Sequence, residues 1–359
     1  MSFNLPAPQT GCLLLADITG YTSYLQGTEL DHAQDVLADL LENIVDTLEP
    51  NFTLSKLEGD AAFAYASSGS LNPSMLLDTV DACYFSFRRR LRDVIHATTC
   101  DCNACVLIPS LDLKFFVHTG QYVVRTIARS EELTGSDVVL VHRLLKGTAG
   151  NAVESSAYAV YTKTALDDLG MEPTVLRLNP HTETFDDIGE VPVFVQDLTH
   201  AWAYEQERNR DFVTKDAALY ELGYEVPVSP AIVWNYMTDP AKRILWQQAI
   251  TGIEQVSDGQ RGVGTTNHCM HGPDTFIEHI TDWRPFSHIT TSSVMPGMPG
   301  ELKLTVELEA TDGGTKRTLR YGGLGPEVWD QIGPDLIAQV DRNAKSLAAL
   351  LEKDLAEVT

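Results

Sequence analysis

Hydrophobic and polar positions change their spacing several times along the chain, and each change marks an element. Cys12 to Ala16 is an unbroken apolar run ending at Asp17, the pattern of a buried strand. From Leu30 to Leu48 the residues Val36, Leu37, Leu40, Leu41, Ile44, Val45 and Leu48 recur at helical spacing. Two short apolar runs, Phe52 to Leu57 and Ala61 to Ala66, predict a hairpin that turns at Gly59-Asp60. A helix from about Pro73 to Ile95 follows. Leu111 to His118 and Tyr122 to Ile127 then flank Thr119-Gly120-Gln121 as a second predicted hairpin, and Val138 to Lys146 reads as a helix. The order β-α-β-β-α-β-β-α predicts an α+β fold, with helices over a mostly antiparallel sheet.

A strand-like run at Val191 to Val195 precedes a polar stretch, Glu205 to Lys215, which predicts a domain boundary. The expected division is a first domain over 1–205, a linker over 206–216 and a second domain over 217–359. The second opens with a strand, Ala217 to Val226, then a helix with Ser229 as N-cap and Pro230 at its first position. Several strands follow, broken by turns such as Ser257-Asp258-Gly259 and Asp312-Gly313-Gly314. The amphipathic stretch from Pro334 to Val358, with Leu336, Ile337, Val340, Ala344, Leu347, Leu350, Leu351 and Leu355 on one face, predicts a closing helix held by a curved antiparallel sheet.

Composition agrees with two domains: 359 residues are enough for two separate cores. Charge narrows the partners. Fifty acidic residues against 26 Lys plus Arg leave a formal net charge of −24, a field that opposes nucleic acid and anionic lipid, so no nucleic-acid partner is expected. The dense basic run Arg88, Arg89, Arg90 and Arg92 alternates with Phe85, Phe87 and Leu91 and reads as a solvated helix face with ion pairs. The N-terminus lacks a secretory pattern and no stretch reaches the roughly 20 apolar residues of a membrane span, so a cytoplasmic protein is expected. Cys100, Cys102 and Cys105 crowd into one short segment. They suggest a structural zinc site whose fourth ligand would be Cys12, Cys83, His96 or a second subunit, or else reduced, inert thiols.

Two aspartates stand at turns: Asp17 at the end of a buried strand, just before Gly20, and Asp60 after Gly59. Paired carboxylates of this kind suit magnesium or manganese shared with substrate phosphates, and a turn containing Gly20 can aim backbone N–H groups at a polyphosphate. A carboxylate capping a turn is the plainer reading of the same residues.

The wording around these residues adds to that choice. Leu15-Ala16-Asp17-Ile18-Thr19-Gly20-Tyr21-Thr22, then Lys56-Leu57-Glu58-Gly59-Asp60-Ala61, then Val117-His118-Thr119-Gly120, then Gly135 to Arg143 resemble, in order and spacing, the catalytic domain of class III adenylyl and guanylyl cyclases. The likeness covers about residues 8–170. The chain also resembles an uncharacterised bacterial family related to those cyclases, which carries a Cys-x-Cys-x-x-Cys segment and the ending Val-His-Arg-Leu-Leu-Lys, here Val141 to Lys146. The resemblance implies a ferredoxin-like nucleotide-cyclase fold, a homodimer with pockets between two such domains, and metal binding by Asp17 and Asp60. It also implies purine reading by Lys56 with Glu132, a pair that favours ATP, and stabilisation of the transferring phosphoryl by the catalytic residue Arg143. Cyclic AMP and pyrophosphate would be the products. One position departs: where the family places a ribose-orienting asparagine, this chain has Val139. The alternative is therefore a catalytically lapsed nucleotide-binding or dimerisation module.

In the second domain, Tyr220 to Trp234, then Met237-Thr238-Asp239-Pro240 and Trp246, resemble the opening of START-like domains of the polyketide-cyclase and lipid-transport kind. This implies a helix-grip fold around a cavity for an apolar small molecule or lipid. Trp234, Trp246, Met270, Trp283, Met295 and Trp329 are the expected lining; a filled core is the competing use of the same side chains.

Overall fold

The first strand, β1 (Gln9–Thr19), shows no alternation because the sheet is covered on both faces: every residue from Gly11 to Ile18 is buried, Asp17 included. These positions come from a computed structural model that describes residues 7–26, 30–97, 103–127, 130–207, 211–256, 262–272, 274–294 and 300–358. The chain forms two compact units, Met1–Arg208 and Asn209–Thr359.

After β1 come α1 (Tyr21–Gln26), α2 (Leu30–Leu48), β2 (Thr53–Glu58), β3 (Ala61–Ser67), α3 (Pro73–Ala97), α4 (Asn103–Leu107) and β4 (Asp112–Ile127). Their sheet order is β2-β3-β1-β4, with every neighbouring pair antiparallel. That is the split β-α-β arrangement of a ferredoxin-like fold. The unit continues through β5 (Ser130–Thr134), α5 (Ser136–Leu144), β6 (Tyr158–Thr162), α6 (Lys163–Asp168), β7 (Asn179–Phe185), β8 (Gly189–Asp197) and α7 (Leu198–Glu207). β6 adds parallel to β4, and β8 and β7 extend that edge. Leu13, Leu15, Phe63, Phe116, Val141 and Leu144 join β1, β3, β4 and α5 in one core, while α2 and α3 pack on each other.

One expected turn is absent. Thr119-Gly120-Gln121 does not reverse the chain; β4 runs straight through it, because Gly11 and Cys12 of the long β1 continue the ladder opposite Gly120 and Thr119. The reversal comes after Ile127, where β5 pairs back on β4. Gly120 serves a close approach instead: a Cβ there would lie 2.4 Å from the Asp137 carboxyl. Gly120→Ala is therefore expected to destabilise the protein by about 1–3 kcal/mol through overpacking, measured by denaturant unfolding. A change within 0.3 kcal/mol would show that Asp137 moves aside freely.

The second unit contains β9 (Tyr220–Val226), α8 (Pro230–Thr238), α9 (Pro240–Trp246), β10 (Gly252–Val256), β11 (Thr266–His271), β12 (Asp274–Arg284), β13 (His288–Val294), β14 (Leu302–Thr311), β15 (Gly314–Gly322) and α10 (Pro326–Val358). The strands form one antiparallel sheet in the order β10-β11-β12-β13-β14-β15-β9. Long α10 buries Val340, Ala344, Leu347 and Leu351, one stripe at helical spacing, as a helix-grip fold requires. It starts eight residues before the expected point: Pro326 takes the first helical position, and Pro334 lies inside the helix, where it lacks the N–H of an ordinary helical residue. Among the described residues no helix is long and apolar enough to cross a membrane.

Candidate functional site

The strand register of the first unit brings its carboxylates together. Asp17 near the end of β1 stands opposite Ala61 of β3 on one side and Lys114 of β4 on the other. Asp60 immediately precedes Ala61, and its carbonyl accepts from the Ile18 backbone N–H at 3.1 Å. Lys114 Nζ lies 3.0 Å from Asp17 Oδ2. Burial pushes the Asp17 carboxyl above its ordinary range although Lys114 pulls it down. Asp60 is pushed up to about 6, by burial first and then by the charge of Asp17. Two partly desolvated carboxylates with one ammonium paired to Asp17 hold surplus negative charge. That donor set fits a divalent cation which takes its remaining ligands from phosphate oxygens and water. No cluster of three or more His, Cys, Asp or Glu side chains suited to a metal occurs among the described residues.

A polar chain runs beside this pair. Lys56 on β2 donates to Glu58 at 2.9 Å and to Glu132 on β5 at 3.1 Å. Glu58 also meets His142 of α5 at 2.9 Å. Burial alone would raise the Glu58 carboxyl, yet Lys56 and His142 together hold it below the usual carboxylate range. Sequence reasoning paired Lys56 with Glu132 and missed Glu58 and His142. Glu58 alternates with Lys56 on β2, which puts both on one face, but His142 reaches it only through packing of α5, its ring edge-on to Phe63.

Arg143 and Val139 are four apart on α5 and both are exposed. Arg143 pairs with Asp187 at 2.6 Å and touches neither Lys56 nor the aspartates. Neither polar neighbour stands in for Val139. Asp137 accepts from the Gln121 backbone N–H at 2.6 Å and lies 3.3 Å from His118, whose pKa burial lowers. His142 is held by Glu58 and the Val138 carbonyl. Gly20 takes φ +89°, and a Cβ there would approach the Ser110 carbonyl oxygen to 2.9 Å, so packing alone requires glycine at this turn.

The cysteine segment is placed only in part: Cys100 and Cys102 lie outside the described residues, as does the His96 side chain, while Cys105 is half-buried. The two other candidate ligands, Cys12 and Cys83, lie in the core of the unit. Both are buried core thiols, and burial pushes Cys12 up to about 12 and raises Cys83 further. The basic run of α3 is spent on ion pairs, Arg88 with Asp112, Arg89 with Glu205, Arg90 with Asp39 and Arg92 with Asp93.

The second unit carries a shallow, solvent-open cleft between α8–α9 and the sheet, with an enclosed volume of about 40 Å³. Its apolar lining is Met237, Trp246, Ile289, Leu304 and Val306, with Thr291 among them. Of the five expected residues that are described, Trp246 lines this cleft and Trp234, Met270, Trp283 and Trp329 do not. Trp234 is fully buried in an aromatic core against Trp283 and Phe286. Met270 is exposed and covers Gly252, Trp329 packs over Gly333, and Met295 lies outside the described residues. Size and hydrophobicity selected those side chains, whereas strand alternation selects the true lining: Ile289 and Thr291, Leu304 and Val306 are i, i+2 pairs. The cleft also holds three charged groups that were not foreseen, Arg243, Glu278 and Arg317.

Residues 37–158 match the family described as "Protein of unknown function (DUF2652)", and residues 221–352 match the family described as "Polyketide cyclase / dehydrase and lipid transport". The chain is 37% identical over 164 residues, 45% of its own length and 73% of the relative's, to "Uncharacterized protein Rv2561/Rv2562" of Mycobacterium tuberculosis. Among solved structures it is similar to the guanylyl cyclase Cya2, at 17% identity over 53% of this chain and 93% of that one, with a TM-score of 0.41. It is also similar to the adenylyl cyclase CyaB from P. aeruginosa, at 15% identity over 57% of this chain and 98% of that one, with a TM-score of 0.39.

Proposed function

The chain belongs to the family of the Mycobacterium tuberculosis protein Rv2561/Rv2562, and on that premise we propose that its first unit is a nucleotide-binding module of the class III cyclase type, taking ATP together with magnesium or manganese. The observation that carries this reading is the meeting of Lys56 and Glu132, 76 residues apart in sequence and 3.1 Å apart in space, beside the surplus charge of Asp17 and Asp60. Lys56 and Glu132 would read the adenine edge, and Asp17 and Asp60 would hold the metal. A cation there neutralises triphosphate charge and acidifies the ribose 3′-hydroxyl. Arg143 would exchange Asp187 for a phosphate oxygen, a change its guanidinium fork suits. Leu57 and Val139 are each 50% exposed near these groups, apolar surface that a second copy would cover in a homodimer.

Binding is favoured over turnover, because Val139 offers no polar atom to the ribose and Asp137 and His142 are engaged elsewhere. The second unit binds a small molecule in its cleft, and the two units together make a ligand-responsive signalling protein. The test is incubation of purified protein with each of the four nucleoside triphosphates and Mn²⁺, with ATP affinity measured in parallel. Wild-type protein is expected to bind ATP only with the metal, and Asp17→Ala and Asp60→Ala to weaken that binding at least tenfold. Unchanged affinity in both variants overturns the reading.

The raised pKa of Asp60 gives a second check. Its folded value near 6 exceeds the ordinary 3.8, so its stabilising contribution is present below 3.8 and is lost as pH rises through 6. Without metal, the unfolding temperature should therefore gain from Asp60→Asn at pH 7.5 and not at pH 4. Mn²⁺ should stabilise wild-type protein more at pH 7.5 than at pH 5, and Asp60→Asn little at either. Equal metal stabilisation of both proteins would place the cation elsewhere.

A further inference from the structure

We propose that the cleft of the second unit receives a monoanion, an organic carboxylate carried on an apolar body, and that Arg317 is the residue that receives it. The inference rests on the reading of the cleft as a ligand site and changes its ligand class from apolar to amphipathic.

Arg317 occupies an inward position of β15. Thr315, Arg317, Leu319 and Tyr321 are all buried, and Lys316, Thr318 and Arg320 between them are exposed or half-buried. An arginine in that register is placed where strand physics puts an apolar residue, and it is only 3% exposed. Its guanidinium is permanently charged and carries five N–H donors. Its hydrogen-bond partners are soft or neutral: Nε reaches Met237 Sδ at 3.5 Å and Nη1 donates to the Tyr224 hydroxyl. The rings of Tyr224 and Trp246 lie 5.5 and 5.6 Å from its central carbon. No carboxylate among the described residues pairs with it.

The second arginine of the cleft shows what pairing looks like there. Arg243 places two nitrogens on the two oxygens of Glu278, at 2.8 and 3.2 Å, and Asn267 donates to the same carboxylate at 2.8 Å. Glu278 is engaged by Arg243 and Asn267, and the cleft lining carries two guanidinium charges against one carboxylate, an excess of one positive charge. A buried charge without a counter-ion is costly, so the arrangement is complete only when an anion enters. Three features set the class of that anion. A guanidinium fork matches a planar carboxylate through paired hydrogen bonds. Glu278 in the same cleft repels a second negative charge and so disfavours a phosphate dianion. Met237, Trp246, Ile289, Leu304 and Val306 offer an apolar wall to the rest of the molecule, and the Trp246 indole N–H is already given to the Tyr236 carbonyl, which leaves its ring for contact.

Titration calorimetry of the full chain at pH 7.5 with octanoate, 1-octanol and inorganic phosphate tests this. Octanoate is expected to bind at least tenfold more tightly than 1-octanol, and phosphate to give no measurable heat. Arg317→Gln is expected to lose at least tenfold in octanoate affinity while its 1-octanol affinity, which also reports an intact cleft, stays within twofold. Should that variant fail to fold, Arg317→Lys keeps the charge and is expected to retain a preference of at least threefold for octanoate. Equal affinities for the acid and the alcohol, in wild type or in the lysine variant, overturn the anion inference and leave the apolar cleft standing. Binding of neither probe removes the cleft reading and the inference with it, and phosphate binding tighter than octanoate overturns the carboxylate class.

Discussion

Val139→Asn is expected to raise the formation of cyclic nucleotide from ATP and Mn²⁺ by about 10²–10³-fold, the usual worth of one transition-state hydrogen-bond donor. Residues 139 and 143 are one helical turn apart on α5, so a polar side chain at 139 shares the face that presents Arg143. Both positions are open, with Val139 50% exposed and the Arg143 side chain 46% exposed, and an asparagine enters without repacking the core. The gain depends on the rest of the site being sound. Adding Arg143→Ala or Asp60→Ala to Val139→Asn should return the rate to background, whereas Val139→Ala should leave it at the wild-type level. Chromatographic detection of the cyclic product checks all of these. A Val139→Asn protein no faster than wild type would mean that the two halves of the site are not assembled around one nucleotide, and the module would then stand as a binding unit only.

Glu278→Gln should destabilise the protein by about 3 kcal/mol, because it leaves the Arg243 charge buried without its partner. The side chains are 10% and 13% exposed and meet in a two-pronged contact, with Asn267 as a further donor to the carboxylate. Replacing both charges at once, Arg243→Met with Glu278→Leu, should cost far less than the single change, since no unpaired ion remains. Burial would raise the Glu278 carboxyl, yet Arg243 holds it below its ordinary value. Its stabilising effect is therefore complete above the ordinary value of 4.5 and is lost only as pH falls through the depressed one. Denaturant unfolding at pH 7 and in acid measures both effects. A single variant within 0.5 kcal/mol of wild type, or a double variant weaker than the single, would show that the pair is hydrated and not held in the sheet.

The sites were unequally legible. Asp17, Asp60 and Lys56 sit in short stretches whose wording resembles the cyclase motifs, whereas Glu132 lies outside those stretches and came only with the resemblance; the structure brings it to Lys56 at 3.1 Å. Lys114 carried no such signal: it faces Asp17 only because β1 and β4 pair in one register, which no local sequence discloses. The supposed hairpin at Thr119-Gly120-Gln121 failed for a related reason. Glycine after threonine suggests a turn, but a long partner strand and a carboxylate needing room explain the same residues. In the second unit, large apolar side chains are the expected pocket walls, yet Trp234 stands in the core against Trp283 while Trp246 lines the cleft, because volume alone does not say which face a residue occupies.

Hydrophobic spacing alone determined the α+β class, the order of the main elements and the closing helix, since periods of 2 and 3.6 are written directly in the chain. The motif stretches around Asp17 and Lys56 to Asp60 are likewise written in the chain, while the functions proposed for them are not. Tertiary structure decided which charges meet: Lys56 with Glu58 and Glu132, Arg143 with Asp187, Arg243 with Glu278, and Arg317 with no carboxylate among the described residues. Coulomb energies depend on distance and burial in space, and neither is a function of separation along the chain.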